Sequence, residues 1–280
     1  NDVMNTGIGN AHDHVGRYFM DHTHIRSSRL IPSPTFPVVY DRMYADNYHL
    51  NANVGFTDDF IRSERLLQYY CRFNPVYIDP KTKEALSYMR DEVMQPGSTA
   101  FLKDVATVLG EMGGVARFGL SRLNVRHFQP DYYELEHRLE QAPNPDSRVV
   151  VSDRRDAVGN LIADLDWQIL DEDVRSFRVG QERIASEFAA LGYGRVQLED
   201  IDMDLVKSRI AGHYHQIGTT RMSDVPEDGV VDRNLRVHGV SNLYIGGSSV
   251  FPTAGYSGPT MMIVGFSIRL AEHIKNTLTA

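Results

Sequence analysis

Asn242-Leu243-Tyr244-Ile245-Gly246-Gly247-Ser248-Ser249-Val250-Phe251-Pro252-Thr253, then Gly255-Tyr256-Ser257-Gly258-Pro259-Thr260, is the stretch on which the fold turns. Residues 242–245 read as a strand entering two glycines, and an apolar helix is predicted from Thr260 to about Ile274. A strand that runs into glycines and then a helix is a place where backbone comes close to a phosphate or a flat ring. Pro259 suits the first helical turn, where free N–H groups and the helix dipole stabilise negative charge on a ligand. The same residues also suit an ordinary loop-to-helix junction. Ser248 with the two glycines suits phosphate contact equally well.

Upstream lies His213-Tyr214-His215-Gln216-Ile217-Gly218-Thr219-Thr220-Arg221-Met222. An imidazole titrates near neutrality, so a histidine among glycine and hydroxyl residues is a natural general base, though such a residue is more often structural. The middle of the chain reads as strands and helices in alternation. Apolar runs broken by Pro32, Pro34 and Pro37 suggest strands, as does 66–73, ended by Asn74-Pro75. Helices are predicted over 84–94, stopped by Pro96-Gly97, and over 98–112, stopped by Gly113-Gly114. The turns at 144–147 and 153–160 bracket a hairpin of strands 148–151 and 161–170, and an amphipathic helix follows over 171–191. Asp171 and Asp173 suit the start of that helix. The pattern is α+β, an antiparallel sheet with helices on one side.

The composition removes several classes of function. Asp plus Glu is 37 against 29 for Lys plus Arg, a net charge of −8, which gives no general attraction to nucleic-acid phosphates or anionic lipid. No apolar stretch approaches the roughly 18 residues of a membrane span. The single cysteine, Cys71, rules out an internal disulfide and reads as a buried, inert thiol. A metal site is not expected: His12, His14, His22 and His24 with Asp13 and Asp21 offer ligand types, but turn-capping explains them better. No Gly-x-Gly-x-x-Gly follows a strand, and Gly7-Ile8-Gly9 is no dinucleotide fingerprint.

Taken together, these motifs resemble the glucose–methanol–choline (GMC) family of flavin-dependent oxidoreductases, nearest to its bacterial sugar and alcohol dehydrogenases and to pyranose oxidase. The resemblance runs through His215-x-x-Gly218-Thr219, Thr220-Arg221-Met222, Gly229-Val230-Val231-Asp232, residues 235–244 and Ser249-Val250-Phe251-Pro252-Thr253. It extends to residues 9–22 and to Glu140-Gln141-Ala142-Pro143-Asn144-Pro145-Asp146-Ser147-Arg148-Val149.

The resemblance implies FAD as cofactor and His215 as the base in oxidation of a sugar, glycoside or related alcohol. It places Gly246, Gly247 and Ser248 near the flavin pyrophosphate and ribityl chain. Gly258, Pro259 and Thr260 fall at the pyrimidine edge of the ring. Gly258 departs from the pattern, because the family carries Asn or His at that position.

The implied organisation is a connection to the flavin domain over 1–25, an antiparallel-sheet substrate-binding domain over 26–195, and the C-terminal part of a Rossmann-like FAD domain over 196–280. The N-terminal FAD-binding half is absent, so a separate or cleaved chain is expected to supply it. Nucleic acid and a membrane span are not expected. Cytoplasmic placement is the expectation, with periplasmic or secreted as alternatives. Two rival functions stand beside oxidation: a flavoprotein lyase or isomerase on the same fold, and a redox-silent scaffold subunit.

Overall fold

Alternating burial builds the central sheet. The computed structural model describes residues 6–40, 43–45, 48–50, 52–78, 80–94, 101–122 and 129–279. Its elements are β1 (Thr23–Pro32), β2 (Met43–Ala45), β3 (Tyr48–Leu50), β4 (Val54–Gly55), α1 (Asp58–Glu64), β5 (Tyr69–Val76), α2 (Pro80–Met94), α3 (Phe101–Gly110) and α4 (Met112–Arg122). These are followed by β6 (Tyr132–Leu139), β7 (Arg148–Arg155), β8 (Leu161–Asp166), α5 (Asp171–Ala190), β9 (Gly194–Gln197), α6 (Met203–Arg209), β10 (Ala211–Gly212) and α7 (Thr260–Thr279). The main sheet runs β10-β1-β6-β5-β4, antiparallel throughout, with β9 pairing the outer half of β1. A bulge at Ser28, which takes φ +61°, separates the two halves of β1.

One face of the sheet is the core. Ile25 and Leu30 of β1, Tyr69, Cys71 and Phe73 of β5, and Tyr133, Leu135 and Leu139 of β6 are buried there. Val174, Phe177, Ile184 and Phe188 of α5, at helical spacing, cover them. Gly180 sets how close α5 comes, because a Cβ there would lie 2.7 Å from the Tyr69 ring. Asp173 caps the helix: its carboxylate accepts from the N–H groups of Leu170 at 2.8 Å and Ala142 at 2.9 Å.

The other face is polar. Register places His24, Arg138 and Tyr70 in one row across β1, β6 and β5, with Arg26, Glu136 and Arg72 in the next. Burial opposes the charge on Glu136, but Arg138, Asn74 and Arg26 outweigh it and hold the carboxyl at about 2, below its ordinary 4.5.

A second core sits beside the first. Met20, Ile217, Val230, Val231, Leu235, Val237, Val250 and Phe251 cluster with Ile263, Phe266 and Leu270 of α7. The sheet core draws on residues 25–206, so the chain changes cores near 20–25 and again between 206 and 217. β1 crosses the division expected at 25/26, and β9 crosses that at 195/196.

The α+β arrangement, the hairpin β7–β8 and the helices α5 and α7 follow the sequence reading. Several elements do not. The strand expected over 242–245 is reduced to one bridge, Arg236 with Tyr244, because the described residues offer no further partner. Gly113-Gly114 does not stop a helix. The break falls at Glu111 and α4 runs through both glycines, where a Cβ at Gly114 would lie 2.7 Å from the Tyr77 carbonyl oxygen. Pro75 lies inside β5 rather than ending it, because β4 pairs only Tyr70 and Cys71 and leaves that edge open. β8 ends at Asp166, and Trp167 turns in to donate its indole N–H to Gln141 at 2.9 Å. The stop expected at Pro96-Gly97 lies outside the described residues.

A carboxyl depressed by folding stabilises the protein fully above its unfolded value, and that contribution is lost as pH falls through the folded one. Glu136→Gln is therefore expected to cost about 2 kcal/mol at neutral pH. Denaturant titrations should also show that it flattens the loss of stability between pH 4.5 and about 2.

Candidate active site

The position of His215 follows from a ladder that is broken and resumed. β10 pairs with the start of β1, Thr23 opposite Gly212 and His24 opposite Ala211. The two stretches meet again where Met20 N–H donates to Ile217 O at 3.0 Å and Ile217 N–H to Met20 O at 2.9 Å. Between these contacts residues 213–216 loop out, and their N–H groups lose the ladder. The buried Asp21 carboxylate replaces it: Oδ1 accepts from His213 N–H at 3.2 Å and His215 N–H at 3.0 Å, and Oδ2 from Tyr214 N–H at 3.2 Å. Tyr214 turns the loop with φ +60°. Gly212 is required for this approach, since a Cβ there would lie 2.2 Å from Asp21 Oδ2.

Four histidines meet around this loop. His22 Nδ1 and His215 Nδ1 are 2.9 Å apart, and His22 Nε2 is 3.0 Å from Ala254 O. The His213 ring lies 4.2 Å from His24 and 6.1 Å from His215, centroid to centroid. Burial lowers the pKa of His215, with His22 adding to it and Asp21 opposing. Burial and the neighbouring Arg138 push His213 down to about 4. Both rings are thus neutral at neutral pH. Among the described residues no three His, Cys, Asp or Glu side chains are arranged to hold a metal ion. Burial pushes the Cys71 thiol up, away from nucleophilic chemistry.

The loop 254–258 carries the departure at Gly258. His22 holds its start through Ala254 O, and Glu140 Oε1 accepts from Gly255 N–H at 2.9 Å. Glu140 Oε2 accepts from Gln68 N–H at 3.3 Å, tying the loop to the sheet. Tyr256 then packs edge-on against Tyr70, 5.5 Å between centroids. A cleft of about 450 Å³, lined by Asn53, Asp58, Gln68, Tyr70, Tyr256 and Gly258 among others, opens here. A Cβ at Gly258 would lie 3.7 Å from His215 Cε1, so Gly258 stands between the cleft and the imidazole with nothing beyond its backbone.

The remaining expected residues border the same loop. Ser248 Oγ donates to Gln216 O at 2.7 Å, next to His215, and keeps its lone pairs for a further donor. Gly247 takes φ +105°, and a Cβ at Gly246 or Gly247 would meet nothing within 4 Å. α7 begins directly after the buried Pro259, and its first helical bond is Ile263 N–H to Pro259 O at 2.9 Å. The N–H groups of Thr260 and the next residues therefore have no partner within the helix. Open glycine backbone on one side and free helix donors on the other suit a flat ring with an anionic edge and a phosphate-bearing chain, which is the shape and charge of a flavin dinucleotide. Asp21, His22 and Glu140 hold this arrangement together, and the sequence reading did not place them in it.

The two glycines of this site separate in their tolerance. Gly212→Ala should lower stability by about 2 kcal/mol and disturb the His215 loop, whereas Gly258→Ala, with ordinary spacing and no left-handed φ, should stay within about 0.5 kcal/mol. Thermal melts of the two variants check this.

Residues 143–267 match the sequence profile of the GMC oxidoreductases. The fructose dehydrogenase large subunit of Gluconobacter japonicus is 26% identical over 140 residues, which is 50% of this chain and 24% of that protein. The 2-methyl-1,2-propanediol dehydrogenase of Mycolicibacterium austroafricanum is 30% identical over 122 residues, 44% of this chain and 21% of that one. The chain thus spans about a quarter of the length of the curated relatives it matches. An FAD-dependent oxidoreductase from Chaetomium thermophilum superposes with a TM-score of 0.50 at 12% identity, over 98% of this chain and 50% of that one, which shows a shared fold. Residues 143–267 are thus a GMC oxidoreductase C-terminal domain.

Proposed function

We propose that this chain is the substrate-facing part of an FAD-dependent oxidoreductase that converts a hydroxyl of a sugar, glycoside or related alcohol to the carbonyl, with His215 as the base. The observation that carries the reading is His215 itself, a neutral imidazole whose Cε1 lies 3.7 Å from where a Cβ on Gly258 would sit, Gly258 being part of the lining of a cleft that offers amide, carboxylate and phenol groups. Polyhydroxylated ligands are recognised by such groups. Bound FAD supplies the two-electron acceptor for hydride from the carbinol carbon. His215 takes the hydroxyl proton, and the neutral ring is the form that can do so. Gly246, Gly247 and Ser248 would lie along the phosphate and ribityl chain, and Gly258, Pro259 and Thr260 along the ring.

The residues over 26–195 would shape the substrate pocket, and those over 196–280, with 1–25, would return to the flavin domain. The dinucleotide-binding half would come from residues outside these 280. α7 supports this, because none of its residues is buried: Ile263, Phe266 and Leu270 pack in part against the second core, while Met261, Met262, Val264 and Ile268 are exposed. The relative from Gluconobacter japonicus is by name a large subunit. No helix among the described residues is long and apolar enough to cross a membrane. Gly258 favours one rival, elimination or isomerisation at a flavin, because the family's second polar side chain is missing there.

Anaerobic addition of D-fructose, 2-methyl-1,2-propanediol and methyl glucosides to the purified assembly tests the reading. A flavin band bleached by one of them supports oxidation; a stable band with product formed supports the rival; a colourless protein sinks both. His215→Ala should slow bleaching at least about 100-fold. The acid limb of the bleaching rate should fall below pH 6.5, the ordinary histidine value, since a base whose pKa is lowered stays unprotonated further into acid.

A further inference from the structure

We infer that His22 is a positioning residue for this site: it fixes which nitrogen of His215 carries the lone pair, and so which atom can take a proton. The inference rests on the reading of His215 as base. It begins at Ala254, whose carbonyl oxygen can only accept, so His22 Nε2, 3.0 Å away, donates. A neutral imidazole protonated at Nε2 keeps its lone pair on Nδ1. That Nδ1 faces His215 Nδ1 at 2.9 Å, and two lone pairs do not face each other at that distance, so His215 Nδ1 donates in turn. The lone pair of His215 is then on Nε2. Nε2 is the nitrogen left free of His22, and Cε1, between the two nitrogens, lies 3.7 Å from where a Cβ on Gly258 would sit.

The reverse order requires His22 to carry both protons. His215 would then accept at Nδ1 and hold its own hydrogen on Nε2, where it could take no proton from a substrate. Around His215, Arg138 disfavours a positive charge and Asp21, whose carboxylate accepts from three backbone N–H groups, favours one. His213 adds no charge, being neutral at neutral pH. Adjacent residues thus divide the work: Asp21 holds the backbone of His215, and His22 sets its ring.

The test is a long-range 1H–15N correlation spectrum of the flavin-loaded assembly labelled at histidine, with the His215 signals assigned by their loss in His215→Ala. The expected result is a protonated Nδ1 and a bare Nε2 on His215. A proton on Nε2 overturns the inference. His22→Leu should move His215 toward the Nε2-protonated form and slow bleaching by D-fructose or 2-methyl-1,2-propanediol about 100-fold, with less than about a threefold change in the substrate concentration for half-maximal rate.

His22→Asn, whose Oδ1 can accept from His215 Nδ1, should recover most of that rate. An unchanged rate in His22→Leu overturns the inference. If His22→Leu does not fold, the wild-type spectrum and His22→Asn decide. Unchanged bleaching in His215→Ala would instead remove the base reading and leave the tautomer assignment to stand or fall on the spectrum.

Discussion

The Asp21 carboxylate is the constraint on which the site depends. A strand pair that is interrupted for four residues leaves part-buried N–H groups without the ladder's acceptors, and each one shut away from water unmet costs about 1–3 kcal/mol. One carboxylate meets three of them and draws His213, Tyr214 and His215 around itself. Everything else in the site is arranged by that choice. Gly212 must lack a side chain, Tyr214 must turn left-handed into solvent, and the His215 ring is delivered to His22.

The two cores give this loop its rigidity. The sheet core ends at β1 and β10, and the second core begins at Met20 and Ile217, so the interrupted ladder is the seam between them. Loop 254–258 spans the same seam, held by His22 on one side and by Glu140, which also holds Gln68 on β5's approach, on the other. The polar face of the sheet, with His24, Arg138 and Tyr70 in one row, forms the wall between these anchors. Chemistry placed at a seam between two packed units gains a fixed geometry together with an opening for a ligand.

Much of this was legible in the sequence where the signal is local. The hairpin of β7 and β8 and the helix α5 are written in turn residues and periodicity, and α7 follows Pro259 as expected. The segments that hold His215 and Pro259-Thr260 stand out by their residue types, but the choice of His215 as base and the weight on Gly258 come from the resemblance. What could not be read depends on distant pairing. His22 and His215 are 193 residues apart in the chain, and Glu140 and Gly255 are 115 apart; no local pattern connects either pair. The failures have the same origin. Residues 242–245 have strand-like letters but a single bridge partner, and Gly113-Gly114 has stop-like letters but serves a close approach to Tyr77.

The most direct measurement is a crystal structure of the flavin-loaded assembly with a substrate analogue whose carbinol carbon carries no hydrogen. The account predicts the analogue's hydroxyl about 3 Å from His215 Nε2, with the flavin ring against Gly258, Pro259 and Thr260. An analogue seated in the cleft with its hydroxyl out of reach of His215, or a flavin bound away from these residues, would contradict it.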